Sequence, residues 1–342
     1  MIRISFLLPC YKVEKYIKEC IDSIYATKLP LEEFEVICFD DCSPDATPYM
    51  LDQLAIEHAN MRVIHSHVNV GSGGGRNRLL QDAKGQYLWF IDPDDLVVSN
   101  QVTSLLFQVE SQGLDVLLFN YLDMLDNGLP LESGSTFRDS IAYDGLTFTD
   151  NMFGNDIVWH MGYPWRFLVR RDYLNEIHLQ FPERMVFQDT VWMPKLIIYA
   201  SRVQSTKIVG YYYRRHDASV CGTFDTIYPG RSIYTWTLLV SNLLLEFAAE
   251  LERKRDKDSR YQKYAKLFRK FAVSHYIMML PLLLSRTQRK ERKVFYSLIQ
   301  EERIPSSIKP YFDLRIKILL LPHMGFALSN VMAAIYSFKH RN

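Results

Sequence analysis

The sequence predicts an α/β protein: a doubly wound, mostly parallel sheet over residues 1–222, then a helical extension over residues 223–342. Three observations carry that prediction. Apolar runs of strand length alternate with amphipathic stretches of helix length from Ile4 to Tyr121, the pattern of repeated βαβ units. The apolar runs end in polar clusters, where such sheets bind ligands. From Arg231 the chain reads as helical with Lys/Arg-rich faces.

The elements follow in order. Ile4–Leu8 is a continuous apolar run stopped by Pro9, which reads as a buried strand ending before Tyr11. Glu14–Tyr25 places Tyr16, Ile17, Cys20, Ile21, Ile24 and Tyr25 on one helical face. Phe34–Phe39 is a second strand and ends in Asp40-Asp41. A helix is expected from Thr47 to about His58, and a third strand at Arg62–His65. Gly71–Gly75 reads as a glycine-rich loop leading into a helix over Asn77–Asp82. Tyr87–Ile91 is a fourth strand, ending in Asp92-Pro93-Asp94-Asp95. Gln101–Gln112 follows as a helix and Asp115–Tyr121 as a strand. Residues 122–160 are loop-rich, and 160–220 carry aromatic and Arg/Asp clusters.

Composition bounds the function. With 342 residues, 48% hydrophobic and 23% charged, the chain is an ordinary globular protein, which excludes wholesale disorder and low-complexity classes. The net charge of +1 excludes a globally basic nucleic-acid binder. It conceals an asymmetry: residues 1–250 hold 20 Lys+Arg against 32 Asp+Glu, and residues 251–342 hold 20 against 7. An acidic body with a basic tail region suggests a surface for polyanions. Five cysteines, four of them in the first 42 residues and with no second metal-type pair, point away from zinc and from a disulfide framework. Met1-Ile2-Arg3 runs straight into the first strand, so no signal peptide is expected and a reducing cytosol fits best.

Three clusters are candidates for chemistry. In Asp92-Pro93-Asp94-Asp95, three carboxylates in four residues repel one another unless a positive charge lies among them. A hard divalent cation with oxygen ligands meets that need, and an Asp-rich turn with a helix cap is the plain alternative. Asp40-Asp41-Cys42-Ser43-Pro44-Asp45 offers acceptors for a base N–H or a ribose hydroxyl, or simply a cap for the next helix. Asn69-Val70-Gly71-Ser72-Gly73-Gly74-Gly75-Arg76-Asn77 lacks both the P-loop ending and the dinucleotide fingerprint. Its glycines allow close approach to a ligand, and Arg76 can pair with a nucleotide or phosphate.

Taken together, Pro9-x-Tyr11, Asp-Asp-x-Ser-x-Asp at 40–45, Asn-x-Gly…Arg-Asn at 69–77 and Asp-x-Asp-Asp at 92–95 resemble the N-terminal half of family 2 glycosyltransferases. More weakly, Phe181-Pro182-Glu183 with Gln188-Asp189-Thr190 resembles the family's Glu-Asp segment, with Gln188 where Glu is usual. Tyr211-Tyr212-Tyr213-Arg214-Arg215-His216 with Ser219-Val220 resembles its Tyr-x-Tyr-Arg…Ser segment. The resemblance reaches about residue 222. It implies a GT-A fold and an inverting transfer of a hexose or N-acetylhexosamine from a nucleotide sugar, most simply a UDP-sugar. The acceptor it implies is a saccharide or lipid-linked saccharide in cell-surface polysaccharide synthesis. Asp189 would be the catalytic base. Pro9, Tyr11, Asp40, Asp41, Arg76, Asp92 and Asp94 would bind the donor, and Asp94 and Asp95 would hold Mn²⁺ or Mg²⁺. Trp165, Arg214 and His216 would lie near the acceptor or diphosphate. Trp159, Tyr163 and Trp165 could form a sugar-stacking wall or plain aromatic packing, and His160 reads as a structural histidine.

Beyond the resemblance, Arg253–Lys270 is a basic helical stretch, Phe271–Leu284 is apolar but broken by Pro281, and Ile318–Phe338 is free of charged residues. Pro322, His323, Gly325, Ser329 and Asn330 make the last a poor transmembrane helix. The expectation is therefore a cytoplasmic protein, peripheral on the inner face of the plasma membrane through residues 251–342, with no nucleic-acid partner. The competing reading is a transferase-like scaffold that binds nucleotide without turnover, with Gln188 its sole hint. A nucleotidyltransferase ranks last, because Pro9-Cys10-Tyr11-Lys12 replaces a phosphate loop after the first strand.

Overall fold

β1 (Ile4–Cys10) and β2 (Phe34–Asp40) are apolar along almost their whole length because helices cover the sheet on both faces. The computed structural model describes residues 1–154, 163–216 and 233–272. Two compact units divide the chain, Met1–Gly222 and Thr223–Asn342. In the first, the described residues form a nine-stranded mixed sheet. β2 lies parallel between β1 and β3 (Met61–His65), and β4 (Tyr87–Phe90) lies parallel on the far side of β1. The order β3-β2-β1-β4 reverses direction at β1, so the switch point lies between β1 and β4. Tyr11 and Asp92 follow those two strands at their carboxyl ends.

Beyond β4 the sheet becomes mixed. β8 (Phe167–Arg170) runs antiparallel to both β4 and β6 (Val116–Leu125). β6 pairs in parallel with β9 (Val203–Arg215), which carries the short β5 (Leu96–Val97) on its other edge. β7 (Pro130–Gly134) extends β6 as a hairpin. The doubly wound, mostly parallel prediction therefore holds, with the antiparallel part confined to β5, β7 and β8.

The even-numbered residues of β1, Ile4, Phe6, Leu8 and Cys10, share one core with α1 (Ile17–Tyr25), α2 (Thr47–Glu57) and α4 (Val102–Gln112). The opposite face carries α3 (Gly71–Asp82), whose Gly75 approaches Pro9 and Phe39. On that face Phe90 meets Phe181 and Trp192 edge-on, with ring centroids 5.3 and 5.9 Å apart.

Two expected boundaries shift. The first helix begins at Ile17, not Glu14, because the Glu14 carboxylate accepts from the Ala46 N–H at 2.7 Å and is spent on the turn before α2. The glycine-rich segment is no loop: α3 starts at Gly71 itself. A side chain at Gly73 would run into the Pro182 carbonyl, so close packing selects glycine where helix propensity disfavours it. α5 (Gly145–Met152), α6 (Arg171–Glu176) and α7 (Asp189–Ile198) complete the first unit among the described residues.

In the second unit, α8 (Ile233–Arg253) pairs with a helix over residues 260–272 through Phe247 and Phe268, ring centroids 5.0 Å apart, and through Arg269 to Glu252 at 2.6 Å. The basic stretch Arg253–Lys270 is thus not one helix; Asp258 accepts from the Arg260 N–H at 2.8 Å and restarts it. Among the described residues no helix is long and apolar enough to cross a membrane. Trp159, His160, Ser219, Val220 and the apolar run Ile318–Phe338 lie outside the described residues.

Candidate active site

The turn after β4 places three carboxylates in three different environments. Asp95 is 1% exposed. Its Oδ2 accepts from the Tyr211 hydroxyl at 2.9 Å and its Oδ1 from the Arg214 N–H at 2.7 Å. Burial, then Asp94 and Asp92, push its carboxyl well above the usual range. Asp92 pairs with Arg76, Nη2 to Oδ1 at 2.7 Å, and its N–H donates to the Tyr211 hydroxyl at 3.0 Å. Burial raises its carboxyl, against the pull of Arg76. Asp94, part-exposed like Asp92, has no arginine partner; its Oδ2 lies 2.9 Å from His216 Nε2.

β9 is the strand that shapes this turn. Arg214 on it donates through Nε to the Asp94 carbonyl at 2.8 Å, through Nη1 to the Asp126 carbonyl at 2.7 Å and through Nη2 to Glu19 at 2.6 Å. Its guanidinium is therefore spent on holding the turn. The His216 ring lies 4.9 Å from Tyr16, and its buried Nδ1 has no hydrogen-bond partner among the described residues.

Arg76, 5% exposed and over the Phe181 ring at 5.5 Å, stands between Asp92 and the segment before α7. The Gln188 carboxamide is satisfied in one orientation: Oε1 accepts from Arg76 Nη1 at 2.7 Å and Ser72 Oγ at 2.9 Å, while Nε2 donates to the Met185 carbonyl at 2.8 Å. The reverse would set donor against donor. Asp189 opens α7 beside it. Burial pushes its carboxyl up to about 6, Arg76 pulling the other way. Asn77 ties this segment to α3 by two bonds to the Phe181 backbone, at 2.9 and 2.8 Å.

At the β1–β2 end, Asp40 accepts from the Ser43 N–H at 3.1 Å and meets His65 Nδ1 at 3.3 Å. Asp41 turns away and accepts from the N–H groups of Val70 and Gly71 at 2.6 and 2.8 Å. Burial pushes its carboxyl up to about 6 despite those bonds. It anchors the start of α3. Tyr11 sits partly exposed at the β1 terminus, where Lys12 turns through a left-handed conformation, φ 55°. Pro9 backs it from within the strand. Trp165 is 2% exposed, stacked on Tyr211 at 4.4 Å and on Tyr213 at 5.5 Å, so its neighbour Tyr163, 41% exposed, presents the open aromatic surface.

The sequence-named residues thus gather at the carboxyl edge of β1, β2 and β4. Two supporting residues had no sequence signal, Glu19 and Asp126, which hold Arg214; Tyr211 was marked only as part of the Tyr-x-Tyr-Arg segment, and its hydroxyl links Asp92 to Asp95. All are distant in sequence from what they touch.

A doubly wound sheet with an acidic turn at its switch point defines a GT-A-type transferase. The pattern of glycosyl transferase family 2 matches residues 5–178. The chain belongs to that family and is a glycosyltransferase. It is 26% identical over 255 residues to Glycosyltransferase GlyG of Streptococcus pneumoniae serotype 4, covering 71% of this chain and 81% of that one. It is 30% identical over 214 residues to a poly(ribitol-phosphate) beta-glucosyltransferase of Bacillus spizizenii, covering 62% of this chain but 32% of that longer protein. The crystal structure of S. aureus TarS 1–349 in complex with UDP-GlcNAc has the same fold, with a TM-score of 0.66 at 22% identity over 99% of this chain and 92% of that one.

Proposed function

We propose that the chain transfers a hexose or N-acetylhexosamine from a UDP-sugar to a saccharide or lipid-linked saccharide during cell-surface polysaccharide synthesis, inverting the anomeric carbon. The observation that carries the reading is the Arg76 guanidinium, which joins the Asp92–Asp95 turn to the Gln188–Asp189 segment. A donor-binding turn and a base are thereby held as one unit. The TarS complex and the poly(ribitol-phosphate) relative support a UDP-sugar donor and a polymer acceptor.

The donor lies along the switch point, its base against Tyr11 and Asp40, with Pro9 and Asp41 shaping the cradle. Asp94 would hold Mn²⁺ with His216 Nε2, which lies 2.9 Å from its Oδ2, or Mg²⁺ through its carboxylate alone, and the donor diphosphate would supply further oxygens. Asp95, expected as a ligand, is buried and accepts one hydrogen bond on each oxygen, which supports a role in holding the turn. Bound there, the ion supplies positive charge against the leaving diphosphate. Asp189, titrating near 6, is ionised at neutral pH and takes the proton of the acceptor hydroxyl. The acceptor oxygen forms the new bond to the anomeric carbon as the bond to the diphosphate breaks, and the electron pair leaves with the phosphate. Residues 1–222 hold this chemistry, and the basic residues 251–342 serve attachment to an anionic membrane surface.

Calorimetric titration of UDP with Mn²⁺, repeated with excess chelator, tests the reading. Binding that disappears with chelator and in Asp94→Ala is expected. No binding of UDP, GDP or dTDP under any condition overturns it.

A further inference from the structure

We infer that Gln188 is a positioning residue that fixes Arg76 and, by being neutral, keeps the adjacent base available at neutral pH. The inference rests on Asp189 being the base, and it begins from the geometry around one buried guanidinium. Arg76 Nη2 is bound by Asp92 at 2.7 Å and Nη1 by Gln188 Oε1 at 2.7 Å. Phe181 lies against its face at 5.5 Å. The Gln188 oxygen is held in turn by Ser72 at 2.9 Å, and its nitrogen by the Met185 carbonyl at 2.8 Å. All three polar contacts of the Gln188 side chain are consistent with a carboxamide. A carboxylate would lose the Met185 bond, since it has no N–H to give.

The charged groups that face the Asp189 carboxyl are Arg76 from α3 and Asp92 from the β4–β5 turn. Arg76 favours the ionised base and Asp92 opposes it. With Gln188 neutral, the arginine serves one carboxylate partner and the base. A second carboxylate at position 188 would divide its charge and add a negative group next to Asp189 in a buried site. Both effects hold a proton on the base.

The test is the pH dependence of UDP release from UDP-N-acetylglucosamine, with water or saccharide as acceptor, for the full chain. Gln188→Glu is expected to move the acid limb of kcat up by on the order of one pH unit, so that activity at pH 6 falls about fivefold relative to its plateau. Gln188→Met, neutral but without an acceptor, leaves the limb in place and lowers kcat several-fold at every pH. A role in packing alone would lower activity without moving the limb in Gln188→Glu, and that result overturns the inference. If circular dichroism shows Gln188→Glu unfolded, Gln188→Met decides: unchanged kcat overturns the inference. Asp189→Asn separates this from the underlying reading. An active Asp189→Asn enzyme sinks the base assignment, whereas an inactive one with an unmoved Gln188→Glu limb sinks only the role of Gln188.

Discussion

Asn77 and Phe181 bind each other twice, the Asn77 Nδ2 donating to the Phe181 carbonyl at 2.9 Å and the Phe181 N–H donating to Asn77 Oδ1 at 2.8 Å. One side chain thus reads a backbone unit as a neighbouring strand would. The pair is buried, and the segment it fixes runs on to Asp189. Asn77→Ala leaves a buried N–H and carbonyl unsatisfied and should cost about 2–3 kcal/mol, read as a lower urea midpoint. Because the base is then held less closely, kcat should fall on the order of tenfold with donor affinity little changed.

The three carboxylates after β4 should separate by phenotype. Asp94→Ala and His216→Ala should each cut turnover by about a hundredfold or more and weaken the Mn²⁺ dependence of UDP binding, with melting temperature nearly unchanged. Asp95→Ala leaves the Tyr211 hydroxyl and the Arg214 N–H without their acceptor, and should destabilise by about 2–3 kcal/mol. A stable Asp95→Ala protein that has lost metal-dependent binding would return Asp95 to the ligand set.

Asp189 sets a stability cost that depends on pH. Its folded-state value of about 6 lies above the ordinary 3.8 because the site is buried. Between those values the unfolded chain has released the proton and the folded chain has not. Stability from this group is therefore present below about pH 4 and lost as pH rises through 6. Asp189→Asn should be inactive yet more stable at pH 7 by about 3 kcal/mol, and the gain should vanish near pH 4. Thermal melts of both proteins across that range check it. Asp41, raised to about 6 by the same cause, titrates in the same window in both proteins and cancels from the comparison.

Much of the fold is written locally. Runs such as Phe34–Phe39 announce strands because both faces of the sheet are covered; Asp40 closes its strand and Asp92 lies two residues past the end of β4, so position at the carboxyl edge could be read from the chain. The differences arise where a distant partner decides. Asp92, Asp94 and Asp95 look equivalent in sequence, and only Arg76, His216 and Tyr211, brought in from α3 and from β9 and its end, give them separate work. The break after Arg253 was hidden by a continuous basic composition, which carries no information about where Asp258 would cap. Gln188 departs from the usual Glu, yet all of its polar atoms are engaged.

The glycines of α3 supply the sharpest test of the packing argument. Five residues of low helix propensity open this helix, so its start must be stabilised by what lies against it. At Gly73 that neighbour is the Pro182 backbone, one residue past the Phe181 clamp and followed by Glu183, which binds Arg78 at 2.8 Å. Added methyl bulk would meet a carbonyl oxygen, not a flexible side-chain end, so the segment must move for it to fit. Gly73→Ala gains intrinsic helix propensity, about 1 kcal/mol. If α3 stood alone the protein would become more stable. Because the base segment is docked there, we expect a net loss of about 1–3 kcal/mol and a fall in kcat larger than the fall in donor affinity. Gly71→Ala gives the matched control for backbone strain: φ is 79° there, so it should lose stability through its conformation alone. A Gly73→Ala protein as stable and active as the parent would show that the 181–189 segment does not depend on the glycine face for its position.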